Sequence, residues 1–422
     1  MDGVTGMNRL MRLIRNTGMA ITIGLVVGIM AIFFNAAING GVALTRSWLT
    51  SENPSILLLP IIGALISTGI YTLYLRNGQI GLGIVQVLVE LEFIKTQLMR
   101  PFRVLMHVVG AIVTLIFGFS AGRFGPIVHL GASIGSNIAY YLKLESKDIR
   151  LLIGCGAAAA IAAVFHMPLF AAVFVLEVLY KKQFADFFAP IVMASVVANF
   201  VGRVTQNGQT FPVEVNGVSL ISPELIWRYV VFGLLMGFIA ILYMMSIQLF
   251  TGLFQKMKHI HIRLFSAAIL IGLIGYFFPL NFELHNNTTY RVLTGEFGLG
   301  LLLAIGLIKI LATGITLGSG YVGGNFYPGV TIGASLGVAF GKIIKPYGVD
   351  HSLFGLLGIG AMIAGYLNAP ISGIILIIEF SGQYEMLIPA LIVCALSVST
   401  TFHLYGKDIF TDAYTKTIKN LV

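Results

Sequence analysis

Charged residues are scarce in this chain. Only 10% of its 422 residues are Asp, Glu, Lys or Arg, whereas an ordinary soluble protein carries about 25%. Hydrophobic residues make up 57%, and the mean hydropathy is +0.92. A chain this apolar cannot cover itself with polar side chains, so lipid must form part of its surroundings. The composition therefore excludes an ordinary soluble protein and predicts a membrane protein.

Cysteine is nearly absent, and the patterns that hold metals or support catalysis are lacking. The two cysteines, Cys155 and Cys394, lie in apolar runs outside any metal or redox spacing, and the eight histidines show no ligand spacing. The sequence contains no nucleophile–base set, metal cluster or nucleotide-binding loop. We therefore expect no metal, no cofactor and no enzymatic activity.

The net charge of +9 has two explanations. A nucleic-acid-binding protein would carry its basic residues as a stripe on a soluble face. Here the Lys and Arg residues lie between apolar segments, which is the pattern that orients membrane proteins. Arg9, Arg12 and Arg15 precede the first apolar run, which begins near Met19. We therefore expect a lipid bilayer as the surroundings, no nucleic-acid partner and a cytoplasmic N-terminus.

Twelve apolar stretches follow one another along the chain, but several are short or rich in glycine. A helix needs about 20 apolar residues to cross the hydrocarbon of a bilayer. Interrupted helices leave backbone groups unpaired, and lipid does not tolerate this, so such helices must line a cavity walled by protein. The sequence predicts an all-α polytopic membrane protein in which many helices are broken or tilted.

An internal repeat is the most informative feature. The segment GRFGPIVHLGASIG at residues 122–135 matches GNFYPGVTIGASLG at residues 324–337 in eight of fourteen positions, at a spacing of 202 residues. A second set of residues keeps the same spacing: Pro168 and Glu177 with Pro370 and Glu379. Duplicated halves are typical of transporters.

The repeat divides the chain into two halves. A polar stretch at residues 207–219 predicts the connection between them. We expect a cytoplasmic N-terminal segment at 1–18, a first membrane repeat at 19–205, a linker at 206–222 and a second membrane repeat with a short C-terminal segment at 223–422.

Each repeated motif places glycines and a proline just before an apolar helical run. Proline is tolerated in the first helical turn, and glycine lets the backbone approach its neighbours closely. The result is a helix N-terminus inside the membrane, which carries about half a positive charge and binds anions. Partial charges of this kind also allow the release that conduction needs. A looser match, GLGIV at 81–85, favours a third such end, whereas the alternative for each motif is tight helix packing.

These motifs resemble those of a known family. GLGIV at 81–85, GRFGP at 122–126, GNFYP at 324–328 and Tyr414 in TDAYTK are similar to the anion-binding loops and C-terminal tyrosine of the CLC chloride channels and proton-coupled chloride antiporters. The resemblance implies about eighteen helices in two inverted repeats, a homodimer, and chloride or another small inorganic anion as substrate. Because the chain ends eight residues after Tyr414, we expect no cytosolic regulatory domains.

The resemblance also implies a set of anion-binding residues. They are Gly81, Leu82, Gly83, Ile84, Gly122, Arg123, Phe124, Gly125, Gly324, Asn325, Phe326, Tyr327 and Tyr414. In the family a serine hydroxyl of the first loop contacts the anion, but here that position is Leu82, which has no donor. Coordination is therefore expected to rest on backbone N–H groups near Phe326 and on Tyr414.

Two positions that serve proton coupling in the family are altered here. The gating glutamate corresponds to Phe124, and the internal proton-site glutamate corresponds to Val178. The main prediction is therefore a passive anion channel or uniporter without proton coupling. One alternative is a proton-coupled antiporter that uses substitute groups such as His107 or Glu177, and His107 is also a candidate for pH sensitivity.

A third reading is a non-conducting scaffold or sensor in which Phe124 plugs the path and Leu82 obstructs it. The sequence leaves the anion selectivity open. Its compact design favours a bacterial inner membrane with both termini in the cytoplasm.

Overall fold

The computed structural model describes residues 2–46, 57–74, 83–93, 99–180, 184–205, 223–281, 286–344 and 351–419. Within these ranges the protein is helical and contains one isolated β-bridge instead of strands. The described α-helices are α1 (Asp2–Arg46), α2 (Leu58–Tyr74), α3 (Ile84–Glu92), α4 (Pro101–Ile116), α5 (Phe124–Tyr141), α6 (Ser146–Phe165), α7 (Pro168–Phe174), α8 (Phe184–Thr205), α9 (Pro223–Gln255), α10 (Ile260–Phe277), α11 (Asn286–Leu293), α12 (Leu299–Ser319), α13 (Phe326–Ile344), α14 (Ser352–Leu367), α15 (Pro370–Ser381), α16 (Leu387–Leu404) and α17 (Thr411–Lys419).

The helices have unequal lengths. Among the described residues, eight helical segments are long and apolar enough to cross a membrane. Others are apolar but short: α15 has 12 residues, so it extends about 18 Å, well below the roughly 30 Å of bilayer hydrocarbon. A polytopic membrane protein with broken helices, as predicted, is therefore what the structure shows.

The predicted division of the chain has a partial structural counterpart. Helix α1 begins at Asp2, so the described part of the segment predicted at 1–18 continues into the first apolar run without a break. The linker predicted at 206–222 lies outside the described residues. The division into two sequence halves stays a prediction.

The described residues form two compact units. The first draws on Met1–Ala36, Gly83–Leu105 and Ile127–Thr210, and the second draws on Ala37–Leu82, Met106–Pro126 and Phe211–Val422. Two stretches of the predicted first half thus belong to the second unit.

In the first unit, α6 packs very closely against α5. Helix α6 is rich in alanine and glycine, and most of its residues are buried. A Cβ atom placed on Gly131 would lie 2.2 Å from the carbonyl oxygen of Gly156, and one on Gly135 would lie 2.0 Å from that of Leu152. Only glycine allows this approach of the two helix backbones.

In the second unit, α14 packs against α13 in the same way. A Cβ on Gly333 would lie 2.4 Å from the carbonyl oxygen of Gly358, and one on Gly337 would lie 2.1 Å from that of Phe354. All four residues follow their counterparts in the first unit by 202 positions. The GASxG part of the repeated motif is therefore a device for helix packing.

The helices that follow also begin alike. His166 and Asn368 end α6 and α14 in the left-handed conformation, with φ of 58° and 54°. Pro168 and Pro370 then begin α7 and α15, where a proline costs no helical hydrogen bond. Helices α7 and α15 differ after their first turns. Helix α7 continues into a π-helical turn at Val175–Leu179, whereas α15 stays α-helical.

Candidate anion site

The two copies of the repeated motif meet in the second unit through one pair of glycines. Gly122 and Gly324 form an antiparallel bridge in which each N–H donates to the carbonyl oxygen of the other, at 2.7 and 2.8 Å. A Cβ on Gly324 would lie 2.7 Å from the backbone nitrogen of Gly125, and one on Gly122 would lie 2.9 Å from Cβ of Tyr327. The glycines of the motif are therefore required for this pairing.

The bridge brings together the starts of two helices. Helix α5 begins at Phe124 and α13 begins at Phe326, each two residues after its bridged glycine. Pro126 and Pro328 fall in the first turns. The first N–H groups of a helix have no acceptor within it, and the helix dipole gives that end a partial positive charge. Two such ends meet at this point in the fold.

Two aromatic rings lie at these helix ends. Phe124 is 1% exposed and Phe326 is 3% exposed. The ring centroids are 4.1 Å apart and the ring planes differ by 13°, so the rings are stacked. Phe124, the residue predicted at the gate position, is thus buried against its repeat counterpart.

Asn325, the residue before α13, is held through its backbone. Its carbonyl oxygen accepts a hydrogen bond from the Tyr243 hydroxyl at 2.9 Å and a longer one from the Tyr366 hydroxyl at 3.5 Å. The two tyrosine rings contact each other edge to face, with centroids 5.4 Å apart. The sequence reasoning missed both tyrosines, because each lies within an apolar helix and only a buried hydroxyl distinguishes it.

Arg123, the counterpart of Asn325 in the first repeat, is held by a different group. Its Nη2 donates to Oδ1 of Asn39 at 2.7 Å. Tyr327 lies two residues after Asn325, and its hydroxyl donates to Oγ1 of Thr289 at 3.2 Å. Asn39 and Thr289 were not among the predicted site residues, and no motif in the sequence marks them.

The first loop is described only in part. Gly81 and Leu82 lie outside the described residues. Gly83, with φ of 76°, precedes α3, and Ile84 is the first residue of that helix and is buried. Gly83 and Ile84 belong to the first unit. That this loop joins the other two around an anion stays a prediction.

Tyr414 lies in the last helix, α17, and is half-buried. Just before this helix, the N–H of Ile409 donates a hydrogen bond to the carbonyl oxygen of Tyr366 at 3.1 Å. The role of Tyr414 as an anion ligand stays a prediction.

The residues considered for proton transfer lie on other elements. His107 is buried on α4. Glu177 is half-buried and Val178 is buried, and both lie in the π-helical turn that follows α7. Turns of this kind occur frequently at functional sites.

Comparison with known proteins identifies the family of this chain. A family model described as voltage gated chloride channel matches residues 63–401. The H(+)/Cl(-) exchange transporter ClcA of Klebsiella pneumoniae is 30% identical over 356 residues, which cover 80% of this chain and 74% of that protein. ClcA of Yersinia pestis is 28% identical over 348 residues, which cover 76% of this chain and 70% of that protein.

Solved structures show the same fold. A slow cyanobacterial Cl-/H+ antiporter superposes with a TM-score of 0.85 at 23% identity, over 96% of this chain and 98% of that chain. A CLC-type fluoride/proton antiporter superposes with a TM-score of 0.77 at 23% identity, over 92% of this chain and 95% of that chain. These likenesses confirm the predicted CLC-type helical fold. This integral membrane protein therefore belongs to the CLC family of voltage gated chloride channels.

Proposed function

We propose that the protein carries chloride, or a similar small inorganic anion, across the membrane by way of the two paired helix ends. The observation that carries this proposal is the Gly122–Gly324 bridge, which brings the N-termini of α5 and α13 together in a buried place. Backbone N–H groups at such ends attract an anion through partial charges alone. Weak attraction of this kind suits a site that must also release its ion.

The names of the relatives favour coupling to protons. The curated relatives are named as H(+)/Cl(-) exchange transporters, and two structural neighbours are antiporters of an anion and protons. They therefore support the proton-coupled alternative better than the passive channel or uniporter expected from the sequence. In this chain, exchange would need substitute proton groups, for which His107 and Glu177 are the candidates. Glu177 has the stronger local argument, because a π-helical turn carries it.

Passive transport is the second candidate, and one observation favours it. The side chain at the family's gate position, Phe124, binds no proton and lies stacked on Phe326. Val178, at the internal proton-site position, is also apolar. A proton path through a membrane needs ionisable groups, and these two positions supply none.

The working unit and its setting are part of the same proposal. We propose a homodimer in a bacterial inner membrane with both termini in the cytoplasm. The bacterial origin of the curated relatives supports the setting. Mass measurement in nanodiscs tests the dimer, and accessibility of cysteines introduced near each terminus tests the orientation.

Reconstitution into vesicles separates the candidates. Chloride efflux from vesicles is expected for both modes of transport, whereas a non-conducting scaffold gives none. In a proton-coupled exchanger, an imposed chloride gradient drives protons uphill, and Glu177→Gln or His107→Gln abolishes that proton flux. A passive transporter moves chloride without any uphill proton flux in the parent protein.

A further inference from the structure

Asn325 carries a buried side-chain amide directly before the first residue of α13. Its side chain is 2% exposed, and the amide nitrogen Nδ2 has no hydrogen-bond partner among the described residues. Buried polar groups in native proteins are nearly always hydrogen-bonded, and an exception calls for an explanation. An amide nitrogen can only donate, so the partner it suits is an acceptor or an anion.

The position of Asn325 places this donor at a positive helix end. Its own carbonyl oxygen accepts the N–H of Gly329 at 3.3 Å, so Asn325 is the N-cap residue of α13. The same carbonyl accepts the hydroxyl groups of Tyr243 and Tyr366. Three donors thus converge on one backbone oxygen of Asn325, and the residue stands at the end of the helix that attracts negative charge.

The first loop, by contrast, lacks a side-chain donor. In the sequence, Leu82 stands where the family has the serine whose hydroxyl contacts the anion. Arg123, which holds the place of Asn325 in the other repeat, already donates to Asn39. Asn325 combines a side-chain donor, burial and an amide nitrogen without a hydrogen-bond partner among the described residues.

We propose that the side-chain amide of Asn325 donates a hydrogen bond to the transported anion and supplies the donor that is missing at Leu82. This inference rests on the proposed function, since it assigns a ligand of the same site. A neutral amide offers a directed donor without a full charge, which keeps binding weak enough for release. Asn325 then determines both the affinity for chloride and the rate of its passage.

Three variants test this role. Asn325→Ala removes the donor, and its chloride affinity, measured by calorimetry on the purified protein, is expected to fall about tenfold. Asn325→Ser keeps a small side chain with a hydroxyl donor and is expected to retain most of the affinity. The control Asn137→Ala removes an amide that already donates to the carbonyl oxygens of Met99 and Ser133, at 3.1 and 2.7 Å, and should leave the affinity unchanged.

Asn325→Asp adds a measurement of pH dependence, which would not change if the role of Asn325 were purely structural. The carboxylate repels an anion, whereas the protonated acid has the shape of the amide and donates through its O–H. Relative to the parent at each pH, chloride efflux of this variant is expected to be low at about pH 7.5 and to recover only as the pH falls below about 4, where an Asp carboxyl group becomes mostly protonated. Asn325→Ala should keep a constant ratio to the parent over the same range.

The outcomes are distinguishable. If the parent moves chloride but the Ala and Ser variants bind it as tightly as the parent, or the Asp variant follows the parent at every pH, the role of Asn325 is overturned while the proposed function stands. If the parent neither binds nor moves any small anion, the proposed function fails and the role of Asn325 fails with it. The Ser and Asp variants keep the side chain small and polar, so they carry the test should Asn325→Ala not fold.

Discussion

The aromatic ring of Phe124 lies stacked on the ring of Phe326, with 4.1 Å between centroids and 13° between planes. The two residues hold the same position in the two repeats, 202 residues apart. Each ring belongs to the first residue of a helix whose first N–H groups attract anions. Because apolar constrictions hinder the passage of water and ions, we propose that the stacked pair narrows the anion path and slows chloride.

Removing one ring should open this path. Phe124→Ala is expected to raise chloride efflux from vesicles severalfold, at a loss of about 3–5 kcal/mol in the free energy of unfolding. Phe187→Ala is the matched control, since Phe187 is equally buried on α8 and should lower stability without raising efflux. A folded Phe124→Ala protein with parental efflux would show that the rings do not restrict the path.

The glycine bridge should not tolerate a methyl group. Gly324→Ala places a Cβ 2.7 Å from the nitrogen of Gly125 and 3.0 Å from the carbonyl oxygen of Gly122, so the bridge must break or shift. We expect lower thermal stability and loss of most chloride efflux. Gly300→Ala is the control, because a Cβ there meets no atom within 4 Å and alanine favours a helix. Equal efflux from the two variants would contradict the structural importance of the bridge.

The two tyrosines that hold the Asn325 carbonyl should contribute unequally. The hydrogen bond from Tyr243 is 2.9 Å long and that from Tyr366 is 3.5 Å, and bonds weaken steeply with poorer geometry. Tyr243→Phe should therefore lower the free energy of unfolding by about 1 kcal/mol, and Tyr366→Phe should have a smaller effect. Both changes keep the ring and its packing. Chemical denaturation in detergent measures the difference, and a larger effect of Tyr366→Phe would reverse the assignment.

A carboxyl group at the gate position should introduce a dependence on pH. Phe124→Glu places a carboxylate where it competes with the anion at neutral pH, whereas the protonated acid does not. Chloride efflux of this variant should therefore increase as the pH falls. The variant Phe124→Gln, which has nearly the shape of Phe124→Glu, carries no titratable group there, so its efflux should show the same pH dependence as that of the parent. Identical pH profiles for the Glu and Gln variants would show that position 124 does not face the path.

Much of the local structure could be predicted from the sequence because both copies of the repeat carry the same glycines and prolines at the helix starts. The spacing of 202 residues identified two helix starts with prolines in their first turns, and the structure has them at Phe124 and Phe326. The same spacing of 202 residues also relates contacts that were not predicted, such as the packing of Gly131 on Gly156 and of Gly333 on Gly358. Residues that must be glycine leave a readable pattern, because no other side chain fits.

Contacts between residues far apart in sequence could not be predicted. Tyr243 and Tyr366 contact Asn325 from helices far away in sequence, and an isolated tyrosine in an apolar run gives no sign of its partner. The stacking of Phe124 on Phe326 follows from the glycine bridge, which exists only once the chain has folded. The residues of Ala37–Leu82 and Met106–Pro126 belong to the second unit for the same reason, since contacts rather than sequence order decide the grouping.

Transport through the paired helix ends is tested most directly by chloride efflux from vesicles that contain the parent protein, measured beside Gly324→Ala vesicles at equal protein content. We expect efflux from the parent well above that of empty vesicles, and near-background efflux from Gly324→Ala. Efflux from the parent no faster than from empty vesicles, with the protein folded and inserted, would contradict the claim that the paired helix ends carry anions across the membrane.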